Sequence, residues 1–195
     1  MSDTRIRKVE LVLWHLDPLR LPTQFKVSCP KNGTIADLCQ ALSKLADVPA
    51  ESLVVTDVYN HRFFKIYTGE DQISKILDRD DIFVYQMDIS NPDLVTVPVY
   101  TREFANNMFG QPLMVSLPKS CTVMELYSAL LVRMSRYVTR PQPGHEWWTQ
   151  GSSVKSPIKM FSFGFVDRYG NVQPEHIDFT GRLSVVIGDY VLYLL

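Results

Sequence analysis

The feature that most constrains this chain is a repeat of its own sequence. Residues 27–45 read VSCPKNGTIADLCQALSKL, and residues 115–134 read VSLPKSCTVMELYSALLVRM. With Val27 set against Val115, 88 positions on, Val, Ser, Pro, Lys, Thr, Leu, Ala and Leu recur in place. The proline and the threonine recur along with the apolar spacing, so the two stretches share punctuation as well as pattern. Such self-similarity predicts one supersecondary plan built twice. The 195 residues leave room for two units of roughly 90–100 each.

Each copy has the same local grammar. Phe25 and Val27 alternate with Gln24, Lys26 and Ser28, and Leu113, Val115 and Leu117 take the inward positions of the second copy. Period-two alternation marks a half-buried strand, and Pro30 and Pro118 close it. A helix follows. Thr34 is the expected N-cap with Asp37 three residues on, and Thr122 with Glu125 repeats the arrangement. Apolar residues then fall at helical spacing: Ile35, Leu38, Leu42 and Leu45 in the first helix, and Val123, Leu126, Tyr127, Leu130, Met134 and Tyr137 in the second.

The flanks repeat as well. Val9, Leu11 and Leu13 precede the first unit as a strand, and Val95, Val97 and Val99 precede the second. Leu53 to Val58 and Arg62 to Tyr67 read as strands, while Gln72 to Leu77 is short for a second helix. DIFVYQM at 81–87 closes the first unit and DYVLYLL at 189–195 the second, Asp81 matching Asp189 and Tyr85 matching Tyr193 at an offset of 108. The added residues fall in 139–157, a stretch dense in Pro, Gly and Ser that reads as a flexible loop. The predicted class is α+β: two tandem β-grasp (ubiquitin-like) units, each a mixed sheet with one helix packed across it. The first spans 8–89 and the second 94–195, divided where Asp88 to Asp93 breaks the strand pattern.

Composition narrows the classes of function. Apolar residues make up 46%, enough for packed cores. A net charge of -1 argues against nucleic acid as partner. No apolar run reaches the roughly 20 residues that span a bilayer, so no membrane partner is expected. Three cysteines without a C-x-x-C pair fit a reducing compartment, cytosol or nucleus.

Several segments of the chain resemble a known family. VTDVYNHRFFKIY (55–67), ILDRDDIFVYQM (76–87), FGQPLMVSLPK (109–119) and MSRYV (134–138) are similar to the insert of ubiquitin-specific cysteine proteases that carry an N-terminal DUSP domain and a ubiquitin-like domain. In that family a second ubiquitin-like domain interrupts the papain-like catalytic domain. The resemblance is dense from about Lys8 to Pro143 and continues more thinly through KMFSFGFVDRYGN. It implies a non-catalytic regulatory segment of a deubiquitinase, whose partners are the parent's catalytic domain within the same chain and other ubiquitin-pathway proteins. The alternative is a free-standing tandem ubiquitin-like adaptor that docks on a ubiquitin receptor or protease. The family's long acidic stretch after the second helix is replaced here by a short loop with Trp147 and Trp148. Its Cys box, His box and paired zinc cysteines are missing.

The chemistry-bearing residues point the same way. A cysteine nucleophile needs an imidazole within reach, and neither Cys29, Cys39 nor Cys121 has a partner base evident in the sequence. Cys121, at a helix start, is the one expected to have a lowered pKa. His15, His61, His145 and His176 stand singly, without the paired spacing of a zinc site, and no cofactor is expected. Asp78, Asp80 and Asp81 read as a polar turn before a strand. No Gly-Gly tail follows Tyr85, which excludes a conjugated modifier. The candidate partner surface is Val12 and Trp14, on the outward side of the first strand, His61 and Arg62 at a hairpin turn, and Trp147 and Trp148. For Trp14 the competing expectation is packing against the second unit. For Asn60-His61-Arg62 it is a purely structural turn, and for the loop tryptophans a plug over a core edge.

Overall fold

The computed structural model describes residues 5–102, 108–134, 163–166 and 191–194. The expected loop at 139–157, with Trp147 and Trp148, lies outside the described residues.

The chain opens with a hairpin of β1 (Ile6–Trp14) and β2 (Thr23–Pro30), in which Val9 faces Val27 and Leu11 faces Phe25. The alternation reads through directly: Val9, Leu11, Leu13 and Val27 are buried, while Lys8, Glu10, Lys26 and Ser28 are exposed. Helix α1 (Ile35–Ala46) starts on the predicted capping box. The Asp37 amide donates to Thr34 Oγ1, and the Thr34 amide donates to Asp37 Oδ2 at 2.7 Å. The helix buries Ile35, Leu38, Cys39, Leu42 and Ala46. Leu45, expected in that stripe, is 57% exposed. At about 100° per residue it lies roughly 20° outside Leu38, at one edge of a face centred on Ile35 and Leu42, and Cys39 and Ala46 fill the other edge.

Three strands complete the first sheet: β3 (Leu53–Tyr59), β4 (Arg62–Ile66) and β5 (Asp81–Gln86). The order is β2-β1-β5-β3-β4, with β1 and β5 parallel and the other neighbours antiparallel. A parallel pair needs a long crossover, and the path through α1, β3 and β4 supplies it. This is the ubiquitin-like β-grasp order, a mixed sheet with one helix across it. Ile73–Lys75 forms only a single 3₁₀ turn. Arg7 ties that turn to the hairpin, donating to the Ile73 carbonyl at 2.9 Å and to Asp78 at 2.8 Å. The core between helix and sheet is one cluster built from Val9, Leu13, Leu38, Leu42, Val55, Val84 and their neighbours.

A second sheet follows. It contains β6 (Leu94–Arg102), β7 (Met108–Pro118), β8 (Phe163–Val166) and β9 (Val191–Leu194) in the order β7-β6-β9-β8. Val97 faces Val115 and Val99 faces Leu113, all four buried. Helix α2 (Val123–Met134) starts on the same kind of box, the Thr122 amide donating to Glu125 Oε2 at 2.6 Å. Pro98 lacks a donor for a ladder, and the parallel β6–β9 ladder begins only after it, at Val99 and Leu192.

The pairing corrects one sequence match. Val12 lies beside Phe83, and Tyr100, 88 positions after Val12, lies beside Tyr193. Tyr193 therefore takes the place of Phe83, not of Tyr85. The difference is two residues, an even step, which keeps the same side chains on the same face of the strand.

Candidate interaction surface

The outer face of the first sheet, opposite α1, carries the aromatic residues. Val12 and Trp14 lie there, both half-buried. Val12 pairs with Phe83 across the parallel ladder, and both line an open groove of ≈ 880 Å³ rimmed by Lys8, Lys26 and Asp81. Trp14 is placed differently. Its ring stacks on Tyr85, centroids 6.1 Å apart and planes at 14°. Phe63 meets the Tyr85 ring edge-on at 5.6 Å. Tyr85, Met87 and Met114 are buried together, with Trp14, Val54, Phe63 and Phe83 packed around them.

Met114 comes from β7 of the second sheet, so this cluster joins the two sheets. Hydrogen bonds accompany the packing. The Tyr85 hydroxyl donates to the Pro112 carbonyl at 2.5 Å. Arg133, in the last turn of α2, donates to the His15 and Leu16 carbonyls at 2.7 and 2.8 Å. Trp14 thus packs against the second half of the chain. The His15 side chain is buried, with Nε2 2.9 Å from Thr23 Oγ1.

His61 and Arg62 lie at the far end of the same sheet. Asn60 and His61 are the central residues of the β3–β4 hairpin, both at positive φ, 50° and 64°. Two positive angles make a type I′ turn, whose twist suits a tight hairpin. His61 and Arg62 are exposed, beside Tyr59 and Phe64, which are 73% and 72% exposed and meet edge-on at 6.3 Å. A register shift at Asp57/Val58 sets Val58 opposite Phe63 and Asp57 opposite Lys65, leaving Phe64 as the extra residue. The candidate residues therefore divide. Val12 lines a groove, Trp14 is covered from within the chain, and His61 and Arg62 sit at a separate tip.

The family model described as ubiquitin-specific protease C-terminal matches residues 3–135. The chain belongs to that family. It is 45% identical over 150 residues to ubiquitin carboxyl-terminal hydrolase 4 of Bos taurus, a match that covers 70% of this chain and 16% of that protein. It is 41% identical over 145 residues to ubiquitin carboxyl-terminal hydrolase 15 of Homo sapiens, covering 68% of this chain and 15% of the relative. The chain thus spans about a sixth of the length of the curated relatives it matches. Among solved structures, the C-terminal ubiquitin-like domain of mouse tubulin-specific chaperone e aligns at 16% identity and TM-score 0.33, over 46% of this chain and 97% of that domain.

In this ubiquitin-specific protease segment the thiols are shielded. Cys29, Cys39 and Cys121 are free and buried. Burial pushes the Cys39 thiol up to about 11 and raises Cys29 above its ordinary value. Cys121 is raised too, by burial and then by the nearby Glu125 carboxylate. The helix start was expected to lower it, but those two effects outweigh the favourable end of the helix. The acidic stretch forms the expected turn: Asp80 Oδ2 accepts from the Leu77 amide at 2.7 Å, and Asp78 holds Arg7. Among the described residues, no group of three His, Cys, Asp or Glu side chains comes together as a metal site.

Sequence reasoning missed Tyr85, Phe63, Met87, Met114 and Arg133. One signal was present. Leu113, Met114 and Val115 are buried in succession, and an unbroken apolar run marks a strand covered on both faces.

Proposed function

We propose that this chain is a non-catalytic regulatory segment lying inside the catalytic domain of a ubiquitin-specific cysteine protease, where it modulates ubiquitin binding. The observation that carries this reading is the family match over residues 3–135, together with relatives named as ubiquitin carboxyl-terminal hydrolases. The segment is read as two ubiquitin-like units, 8–89 and 94–195. The repeated capping boxes, the repeated hairpin register and the shared order of hairpin, parallel pair and antiparallel neighbour support that division. A non-catalytic role is supported by the thiols. A cysteine nucleophile is activated by a lowered pKa, whereas all three here are buried and raised. The partner is the parent's catalytic domain, in the cytoplasm or nucleus.

A segment tethered inside a protease sits at an effective concentration of about 1 mM. A contact with a dissociation constant of about 100 μM would then lower apparent ubiquitin affinity roughly tenfold. The test removes the segment from the parent protease and adds this chain back in trans, with turnover of a ubiquitin C-terminal reporter as readout. The expected result is a lower KM on deletion and inhibition on addition. An unchanged KM, with no inhibition at high micromolar chain, removes competition from consideration. Turnover by the isolated chain would sink the non-catalytic reading itself.

A further inference from the structure

The parallel ladder at the centre of the first sheet stops short. It joins β1 to β5 only at Val12–Phe83, Leu13–Val84 and Trp14–Tyr85, although β1 reaches back to Ile6 and β5 to Asp81. Before Val12 the two strands part around the open groove of ≈ 880 Å³. Antiparallel strands exchange bonds at alternate residues. The Lys31 amide donates to the Arg5 carbonyl, so Arg7, Val9 and Leu11 are the residues of β1 that bond toward β2. The main-chain groups of Lys8 and Glu10 then face the groove, and among the described residues they meet no main-chain partner there. A row of open N–H and C=O groups is a template for an extended chain.

Charge explains why the ladder stops. Stepping its register back from Val12 and Phe83 sets Glu10 beside Asp81, Lys8 beside Arg79 and Arg7 beside Asp78. The first two are like-charge neighbours, which cross-strand pairing disfavours. The third pair is opposite in charge and is joined at 2.8 Å. Lys26 holds Glu10 from the β2 side at 2.6 Å, and Asp80 accepts from the Leu77 amide. Lys8, Arg79 and Asp81 are left, and none of them forms an ion pair with a described residue. The groove therefore presents a basic pair and, two residues along the strand, an unanswered acid.

We propose that this groove receives an extended peptide segment with an acidic and a basic residue two positions apart. Its main chain pairs with Lys8 and Glu10, its acid lies between Lys8 and Arg79, and its base lies beside Asp81. A small ion answers one of these charges. An extended chain answers both, and the open main-chain groups as well. The volume falls within the roughly 300–1,000 Å³ of clefts that hold ligands. The contact involves neither the parent's catalytic domain nor ubiquitin, so it stands or falls apart from competition.

The test uses the full chain and three capped peptides, TEVKVT, TEVEVT and TKVKVT, with amide hydrogen exchange resolved residue by residue in nuclear magnetic resonance spectra. In the free chain Lys8 and Glu10 are expected to exchange freely between slow neighbours at Val9 and Leu11. At about 1 mM TEVKVT, a dissociation constant of about 0.1 mM slows both roughly tenfold, while the like-charged peptides change them by less than about twofold. The double variant Arg79→Glu, Asp81→Lys gives each facing pair opposite charges. Its ladder is expected to close, which protects Lys8 and Glu10 without peptide and removes the response to TEVKVT. Slow exchange at Lys8 and Glu10 in the free parent chain overturns the proposal, because the ladder would already be paired. Equal protection by all three peptides, or by none, overturns it as well. So does a double variant that stays open and still responds to TEVKVT. Protection that rises with chain concentration alone makes a second copy the occupant and excludes the outside peptide.

Discussion

The hydroxyl of Tyr85 reaches the carbonyl oxygen of Pro112 at 2.5 Å, across the gap between two sheets. A residue at an outward position of β5 thus becomes a buried one. Replacing it with phenylalanine keeps the stack on Trp14 and removes only the hydrogen bond. A net loss of about 0.5–1.5 kcal/mol is expected, more if the Pro112 oxygen then stays buried without a donor. Urea unfolding of the parent and Tyr85→Phe chains reads the difference. Equal midpoints would mean that water replaces the tyrosine hydroxyl without cost.

The two capping boxes make a matched pair of predictions. Thr34→Ala and Thr122→Ala each remove the hydroxyl that accepts from the third helical residue, Asp37 and Glu125. Each is expected to cost about 0.5–2 kcal/mol. In a chain that unfolds as one unit, both shift a single transition. If the two sheets unfold separately, each variant shifts only its own transition, which calorimetry resolves.

The buried thiols set a dependence on pH. Cys39 ionises near 11 in the folded chain, against an ordinary 9.0. An acid whose pKa is raised by folding holds its proton more tightly in the native state. Its contribution to stability is therefore complete below pH 9.0 and is lost as pH climbs toward about 11. The fall in unfolding free energy over that window should be shallower for Cys39→Ala than for the parent chain. Parallel slopes would show that Cys39 ionises equally well in both states. Thiol labelling at neutral pH should be slow at all three cysteines until denaturant is added.

Much of this architecture is legible in the repeat itself. Alternation placed Val9, Leu11 and Leu13 inside, and Thr34 with Asp37 and Thr122 with Glu125 marked where both helices begin. These are local facts, governed by neighbours one to four residues away. Other features are not local. Leu45 lies at the edge of the helical stripe, and only the position of the sheet decides that Cys39 and Ala46 are buried in its place. The two-residue step between Phe83 and Tyr85, the two possible matches for Tyr193, preserves the face, so no hydrophobic pattern distinguishes the two alignments. The outer face was visible as an aromatic surface, but what covers it was not. Alternation assigns a side to Trp14, whereas Met114 and Arg133 reach it from a sheet and a helix about 100 residues away.

The hairpin tip separates a structural role from a contact role at one residue. His61 sits at φ 64°, a left-handed conformation that crowds the β-carbon of an L residue. Glycine fits such a position without that cost, and Asn-Gly is the preferred pair for a type I′ turn. His61→Gly is therefore expected to leave stability unchanged or raise it, by up to about 1 kcal/mol, since relieved strain of roughly 1–2 kcal/mol is partly offset by the entropy of glycine. The exposed imidazole is lost in the same step. If the tip contacts the parent's catalytic domain, inhibition in trans weakens although the fold is at least as stable. If the tip is only a turn, inhibition stays the same. Thermal unfolding and the reporter assay, run on one preparation, give both quantities. Lower stability would mean that the side chain of His61 holds the turn through its own contacts, and the histidine would then count as structural.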